Sequence, residues 1–253
     1  MTQTVKFNGF NFSFNSMSEL IKLLIEKKEG VGAAYHLVNS YTLVIAEENP
    51  KLKEILMNDI LICDGKPLSL ILKLQRLSLK QIRGSDLLRQ ILSQESDHVR
   101  HFFLGSTDKV LDQLIIAANE INPEINIAGK YSPSFKEDFE EDITRWVEII
   151  RLSAASIVWI GLGTPKQDFV SHELAKHLDV HFVAVGAAFD FIAGNKSEAP
   201  KIFIFFGLEW FFRLISEPKR LFRRYFVGNF KFLLIIFRQL INKLHTFTAK
   251  NSH

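Results

Sequence analysis

The stretch "DILICDGKPLSL" (59–70) places four apolar residues, Ile60 to Cys63, directly before Asp64-Gly65. The run reads as a buried strand, and a carboxylate at its end is costly to desolvate unless its charge is used. Asp-Gly is also a favoured turn pair. From these residues alone, Asp64 is either a turn residue or a general base whose pKa is raised by burial.

Working outward, the pattern on either side predicts an α/β fold. Upstream, "TVKFNGFNFSF" (4–14) alternates apolar and polar residues around Asn8-Gly9, the signature of a tight hairpin. "SMSELIKLLIEKK" (16–28) opens with a capping box, Ser16 and Glu19, before a helical apolar stripe. After Gly30 and Gly32 comes the short apolar segment "AAYHLVN" (33–39), then helical patterning through 41–57. Downstream, helical patterns at 84–94, 107–121, 139–153 and 166–178 alternate with strand patterns at 98–105, 125–131, 155–163 and within 179–194. That alternation predicts a Rossmann-like, mostly parallel sheet with helices on both faces, over residues 1–200. Ligands of such sheets bind at the carboxyl ends of the strands. Asn39, Asp64, Gly105, Gly129, Gly161–Gly163 and Gly186 fall at those ends.

Composition narrows the classes. With 47% hydrophobic and 23% charged residues in 253, the chain can bury a core, and it has no repeats or low-complexity tracts. Its one cysteine, Cys63, rules out an intramolecular disulfide framework and fits a reducing compartment. The N-terminus lacks a basic region followed by an apolar one, so no signal peptide is expected. The net charge of +3 hides an asymmetry: residues 201–253 carry ten Lys/Arg against Glu209 and Glu217, while the rest carries 21 basic and 26 acidic residues. The same tail holds 11 of the 23 phenylalanines. It reads as two or three helices, broken at Glu217-Pro218 and near Gly228. Its longest strictly apolar run, "FLLIIF" (232–237), is far short of a membrane span. Phe/Leu/Ile on one face and Lys/Arg on the other fits a helix lying in a membrane interface; it equally fits a cap on the sheet or on another subunit, compatible with a homo-oligomer.

Several groups suit anion chemistry. "GLGTPKQD" (161–168) follows a strand and opens a helix, so Gly161 and Gly163 permit close backbone approach, with Lys166 and Gln167 alongside. It lacks both the dinucleotide fingerprint and the P-loop spacing, which counts against a nicotinamide-dependent oxidoreductase. Ser85 and Asp86 stand at a helix start, where capping is the plain alternative. Small residues around Gly186 precede Asp190. Arg220, Arg223 and Arg224 lie on adjoining faces of one helix, suiting either a solvated basic face or a phosphate clamp. The eight histidines and Cys63 show no metal-ligand spacing, and neither Asp-x-Asp nor Gly-x-Ser-x-Gly occurs.

Taken together, "DG" (64–65), "GSDLL" (84–88), "FFLG" (102–105), "NPEINIAGKYSPSF" (122–135), "IGLGTPKQD" (160–168), "VGAAFDFIAG" (185–194), "GLEWFFRL" (207–214) and "EPKRLFRRY" (217–225) closely resemble the WecG/TagA/CpsF glycosyltransferases, glycosyltransferase family 26, over about residues 4–240. The resemblance implies an inverting, metal-independent enzyme without a cofactor. Its donor would be a UDP-sugar, often of N-acetylmannosamine or its uronic acid, and its acceptor a sugar on undecaprenyl diphosphate. It also implies a cytoplasmic protein held peripherally at the inner face of the plasma membrane through 201–253, and no nucleic-acid partner. The family's proposed base falls on Asp64, followed by Gly65, and the asparagine of its Thr-x-Asn motif on Asn39. Its Pro-Lys-Gln-Glu falls on Pro165, Lys166, Gln167 and Asp168, and its appendage arginines on Arg213, Arg220, Arg223 and Arg224. Ser85, Asp86, Gly105, Tyr131, Gly161, Gly163, Gly186 and Asp190 complete the expected binding set. Four positions depart from the family pattern: Leu37, Gln81, Asp168 and Glu198. A non-catalytic UDP-sugar- or lipid-binding partner of an assembly complex is the alternative reading.

Overall fold

The computed structural model describes residues 4–14, 16–26, 32–74, 79–94, 98–134 and 139–250, so Lys27, Lys28, Gly30 and Phe135 lie outside the described residues. The hairpin forms where alternation predicts it. β1 (Val5–Phe7) and β2 (Phe10–Phe12) pair antiparallel across Asn8 and Gly9, whose φ of 49° and 87° suit a primed turn. α1 (Met17–Ile25) starts at Ser16, whose hydroxyl accepts from the Glu19 N–H at 3.2 Å. β3 (Ala33–Val38) follows. The helical stretch expected over 41–57 is two helices, α2 (Ser40–Glu48) and α3 (Pro50–Asn58), because Asn49 caps the second and Pro50 occupies its first turn.

β4 (Ile60–Cys63) leads into α4 (Lys66–Leu74), a helix that sequence reading did not anticipate; it buries Leu68 and Leu72. The chain continues as α5 (Gly84–Leu92), β5 (His101–Gly105), α6 (Asp108–Ile121), β6 (Ile127–Tyr131) and α7 (Phe139–Ser153). β7 (Ile157–Gly161), α8 (Lys166–Ala175), β8 (His181–Ala184) and α9 (Ala188–Ile192) complete the α/β part. The sheet order is β1-β2-β4-β3-β8-β7-β5-β6, and every pairing except β1 with β2 is parallel.

Strand alternation sends side chains to two buried layers. Tyr35, Leu37, Phe103, Trp159 and Val183 join one cluster with residues of α1, α5, α6 and α9. Val38, Leu61 and Cys63 pack on the other face with residues of α2, α3 and α4, while Phe102, Val158, Ile160 and Phe182 pack with those of α7 and α8. Helices therefore cover both faces, which a parallel sheet requires.

The tail forms α10 (Lys201–Phe205), α11 (Glu209–Ser216) and α12 (Pro218–Lys250). The break at Glu217-Pro218 is present. The break expected near Gly228 is not, and α12 runs through it. A β-carbon at Gly228 would meet the Tyr41 ring at 3.2 Å, so glycine there lets α12 lie close against α2. Leu221, Phe232, Ile235 and Ile236 point the same way, with Phe232 sunk into the cluster that holds α2. At about 100° per residue, Phe222, Phe226, Phe230, Leu233 and Phe237 lie on the roughly opposite side of α12, and all are exposed. No helix among the described residues is long and apolar enough to cross a membrane.

Candidate active site

Asp64 follows β4 directly. Its N–H donates to the Val38 carbonyl at 2.8 Å, and the Ile82 N–H donates to the Cys63 carbonyl at 2.9 Å, so the strand end is held from two sides. Gly65 takes φ +86°, and a β-carbon there would stand 3.3 Å from Asn39 Cβ. A side chain is thus disfavoured by both backbone and space, and the turn presents Asp64 beside Asn39. Burial pushes the Asp64 carboxyl up to about 6, with Glu209 adding to the shift, while Arg213, Arg83 and a hydrogen bond from Gln81 oppose it.

Asn39 caps α2, its Oδ1 accepting from the Tyr41 and Thr42 N–H groups at 3.0 and 3.2 Å. Committing Oδ1 to the cap leaves Nδ2 as the end that can face a ligand.

A cleft of about 1540 Å³, measured out to its open mouth, runs along the carboxyl ends of β4, β3, β8 and β7 and is closed over by α11 and α12. It gathers most of the expected set: Asn39, Asp64, Ser85, Gly161, Gly163, Gln167, Gly186, Asp190, Arg213, Arg220 and Arg224. Gly65 lines an adjoining cavity with Asn39, Asp64, Gln81, Trp210, Arg213 and Arg224. The two cavities share Asp64, so the carboxylate stands where they meet.

Other expected residues hold the frame. The Gln167 Oε1 accepts from the Gly163 N–H at 3.0 Å and stands against Gly186, so this amide braces two turns of the cleft wall. Pro165 caps α8 and Lys166 begins it, and neither lines the cleft. Asp86 accepts two bonds from Arg83, at 3.0 and 3.1 Å. Asp190 lines the cleft but is engaged with Asn195 at 2.7 Å and Lys196 at 3.6 Å. Gly105, with φ +119°, serves strand packing, since a β-carbon there would fall 2.7 Å from the Gly161 backbone. Tyr131 ends the edge strand β6, five strand spacings and roughly 24 Å from β4, where it packs with Trp146 and Arg145. Arg223 is exposed and lines neither cavity.

The tail contributes a dense set of charges. Arg83 Nε donates to Glu209 Oε2 at 3.0 Å, and Glu209 Oε1 also accepts from Arg213 Nη2. Arg83 is buried, and Asp86, Glu198 and Glu209 surround it; Glu198 in turn accepts from Arg89 at 2.8 Å. Glu198, one of the departures from the family pattern, is thereby neutralised by body arginines. Arg224 lies over the Tyr41 ring at 4.4 Å, and its shielded Nε has no hydrogen-bond partner among the described residues. Burial lowers the Arg224 guanidinium from its ordinary value, and the nearby Arg213 and Arg220 charges press the same way. A polyanion in the cleft would relieve the repulsion among these guanidinium groups. Among the described residues no cluster of three or more His, Cys, Asp or Glu could hold a metal ion.

The Glycosyl transferase WecG/TagA/CpsF family model matches residues 5–246. The chain belongs to this family. It is a glycosyltransferase. It is also 34% identical, over 180 residues that make up 69% of this chain and 68% of the relative, to an N-acetylglucosaminyldiphosphoundecaprenol N-acetyl-beta-D-mannosaminyltransferase of Bacillus spizizenii. In this glycosyltransferase, Arg83, Glu209 and Gln81 are site neighbours to which sequence reading gave no role; Arg83 directly precedes "GSDLL" and Glu209 lies in "GLEWFFRL", but no local pattern pairs them.

Replacing Arg83 by Ala leaves three carboxylates without their shared cation. Denaturant unfolding is expected to show a loss of about 2–4 kcal/mol, and α11 should become sensitive to limited proteolysis. Unchanged stability would contradict the role of this pair in holding the tail to the sheet.

Proposed function

We propose that the protein transfers a sugar, N-acetylmannosamine or a related hexose, from a UDP-sugar to a sugar on a polyprenyl diphosphate, with inversion at the anomeric carbon. The observation that carries the reading is Asp64: a carboxylate at a strand end, raised to about 6, at the junction of two cavities that also hold Arg213 and Arg224. The name of the Bacillus spizizenii relative supports the class of sugar transferred and of acceptor.

In one in-line displacement the acceptor hydroxyl attacks the anomeric carbon and its proton passes to Asp64. The bond from that carbon to the diphosphate oxygen breaks, and UDP departs with the electron pair. Negative charge grows on the departing diphosphate, and Arg213, Arg220 and Arg224 are the tail arginines of the cleft that would stabilise it. Asn39 Nδ2, beside Asp64, would orient the acceptor or the sugar. The chemistry asks no metal of these residues, because the arginines supply the positive charge.

The exposed apolar face of α12, together with Phe205, Phe206 and Phe211, would rest on the membrane that carries the lipid acceptor, with the protein peripheral at its inner face. Lys219 and Arg223, exposed on the same side of α12, would meet anionic headgroups.

Asp64→Asn should cut sugar transfer by about 10²–10⁴-fold while leaving UDP binding intact, measured as UDP release with a polyprenyl-diphosphate-linked acceptor. In the wild type the rate should rise with pH through about 6, since the base works only unprotonated. Near-normal turnover in the variant would reject Asp64 as base. Phe205, Phe226 and Phe230 are all exposed, so replacing the three with Ser should preserve the fold. Binding to phosphatidylglycerol vesicles should fall about tenfold or more, by loss of buried apolar area. Undiminished vesicle binding would remove this face from the membrane contact.

A further inference from the structure

His36 is fully buried on β3, three residues before Asn39, and both of its ring nitrogens face carboxylates. Nδ1 is 2.9 Å from Asp168 Oδ1 and Nε2 is 3.0 Å from Asp59 Oδ2. Neutral imidazole has one N–H, so only the cation donates to both carboxylates at once. Burial opposes that charge, but the hydrogen bonds and charges of Asp168 and Asp59 outweigh it and raise the ring to about 9. It is therefore a buried cation at neutral pH. Asp59 ends α3 and also faces His172 Nδ1 of α8 at 2.8 Å.

Asp168 is the arm of this network that leads toward the cleft. It lies in the first turn of α8, next to Gln167, which accepts from the Gly163 N–H and stands against Gly186. Its second oxygen, Oδ2, is buried without a hydrogen-bond partner among the described residues, so the link to His36 is what compensates its charge. A path of direct contacts thus runs from His36 through α8 to two turns that line the cleft. Neither Asp64 nor any tail arginine takes part in it.

We infer that His36 is a positioning residue for donor binding: as a cation clamped between Asp59 and Asp168, it fixes the first turn of α8 and hence the backbone at Gly163 and Gly186. The inference rests on the reading of the cleft as a UDP-sugar site. His36 itself touches no substrate. Its loss would leave the Asp168 carboxylate buried without a counter-charge, so the first turn of α8 would shift to bring that carboxylate to water.

Full-length His36→Gln and Asp168→Asn variants test this, with UDP as the probe in titration calorimetry and a steady-state assay alongside. Both should bind UDP about tenfold more weakly, and raise the donor KM to match, as misplacement of a binding turn predicts. At saturating donor kcat should stay within about twofold, because the base and the arginines are untouched. His172→Gln removes a bond to Asp59 without touching Asp168 and should leave UDP affinity within about twofold, a split that general destabilisation would not produce. Should His36→Gln fail to fold, the nearly isosteric Asp168→Asn decides alone. Wild-type UDP affinity in a folded Asp168→Asn variant, or an equal loss in His172→Gln, would overturn the inference. A wild-type protein that binds no UDP would instead overturn the reading of the cleft, and this inference with it.

Discussion

A carboxylate held at the end of a buried strand needs compensation, and the arrangement around Asp64 follows from that need. Burial and Glu209 raise its pKa, while Arg213, Arg83 and Gln81 pull it down, and the balance lies near 6. Without the cations it would titrate higher still; with many more it would be a weaker base. The compensating groups come from two separated parts of the chain. Gln81 and Arg83 belong to the body, Glu209 and Arg213 to α11. Docking of the tail and the acid–base state of Asp64 are therefore coupled through the same few charges, with the Arg83–Glu209 pair as the joint.

The backbone makes room for this arrangement at a few places. Gly65 turns the chain so that Asp64 stands beside Asn39, and Gly228 lets α12 approach α2 closely enough for Arg224 to stack on Tyr41. Gly105 lets the end of β5 lie against the Gly161 backbone at the end of β7, and Gly161 leaves room for the Phe189 ring. The cleft is the space left between a level row of strand ends and a tail that packs by one face of α12 while leaving the other exposed.

Much of this was legible in the sequence, for physical reasons that differ by element. Strand–helix alternation, the Asn8-Gly9 hairpin and the Ser16 cap are local signals, and each reappears where it was expected. The family resemblance, too, rested on motifs that are contiguous in the chain. What escaped was non-local. Gly228 reads as a helix breaker, yet its neighbour across space makes it a packing residue. Gln167 reads as a ligand-facing amide of the anion-binding turn, yet its Oε1 is taken by the Gly163 N–H. His36 and Asp168 are 132 residues apart, and no spacing rule pairs them. Gly105 and Tyr131 sit at strand ends as predicted, but β5 and β6 lie at the side of the sheet away from Asp64, and strand order is not written in periodicity. α4 begins directly after Asp64-Gly65, with no loop between to set its stripe of Leu68 and Leu72 apart from the turn.

The coupling of tail and carboxylate is open to direct measurement through the titration of Asp64 itself, followed by carbon-13 NMR of its side-chain carboxyl in the full-length protein. The expected midpoint is about 6, and it should fall when Glu209 is replaced by Gln. A midpoint near 4, the range of an ordinary aspartate, would contradict the account.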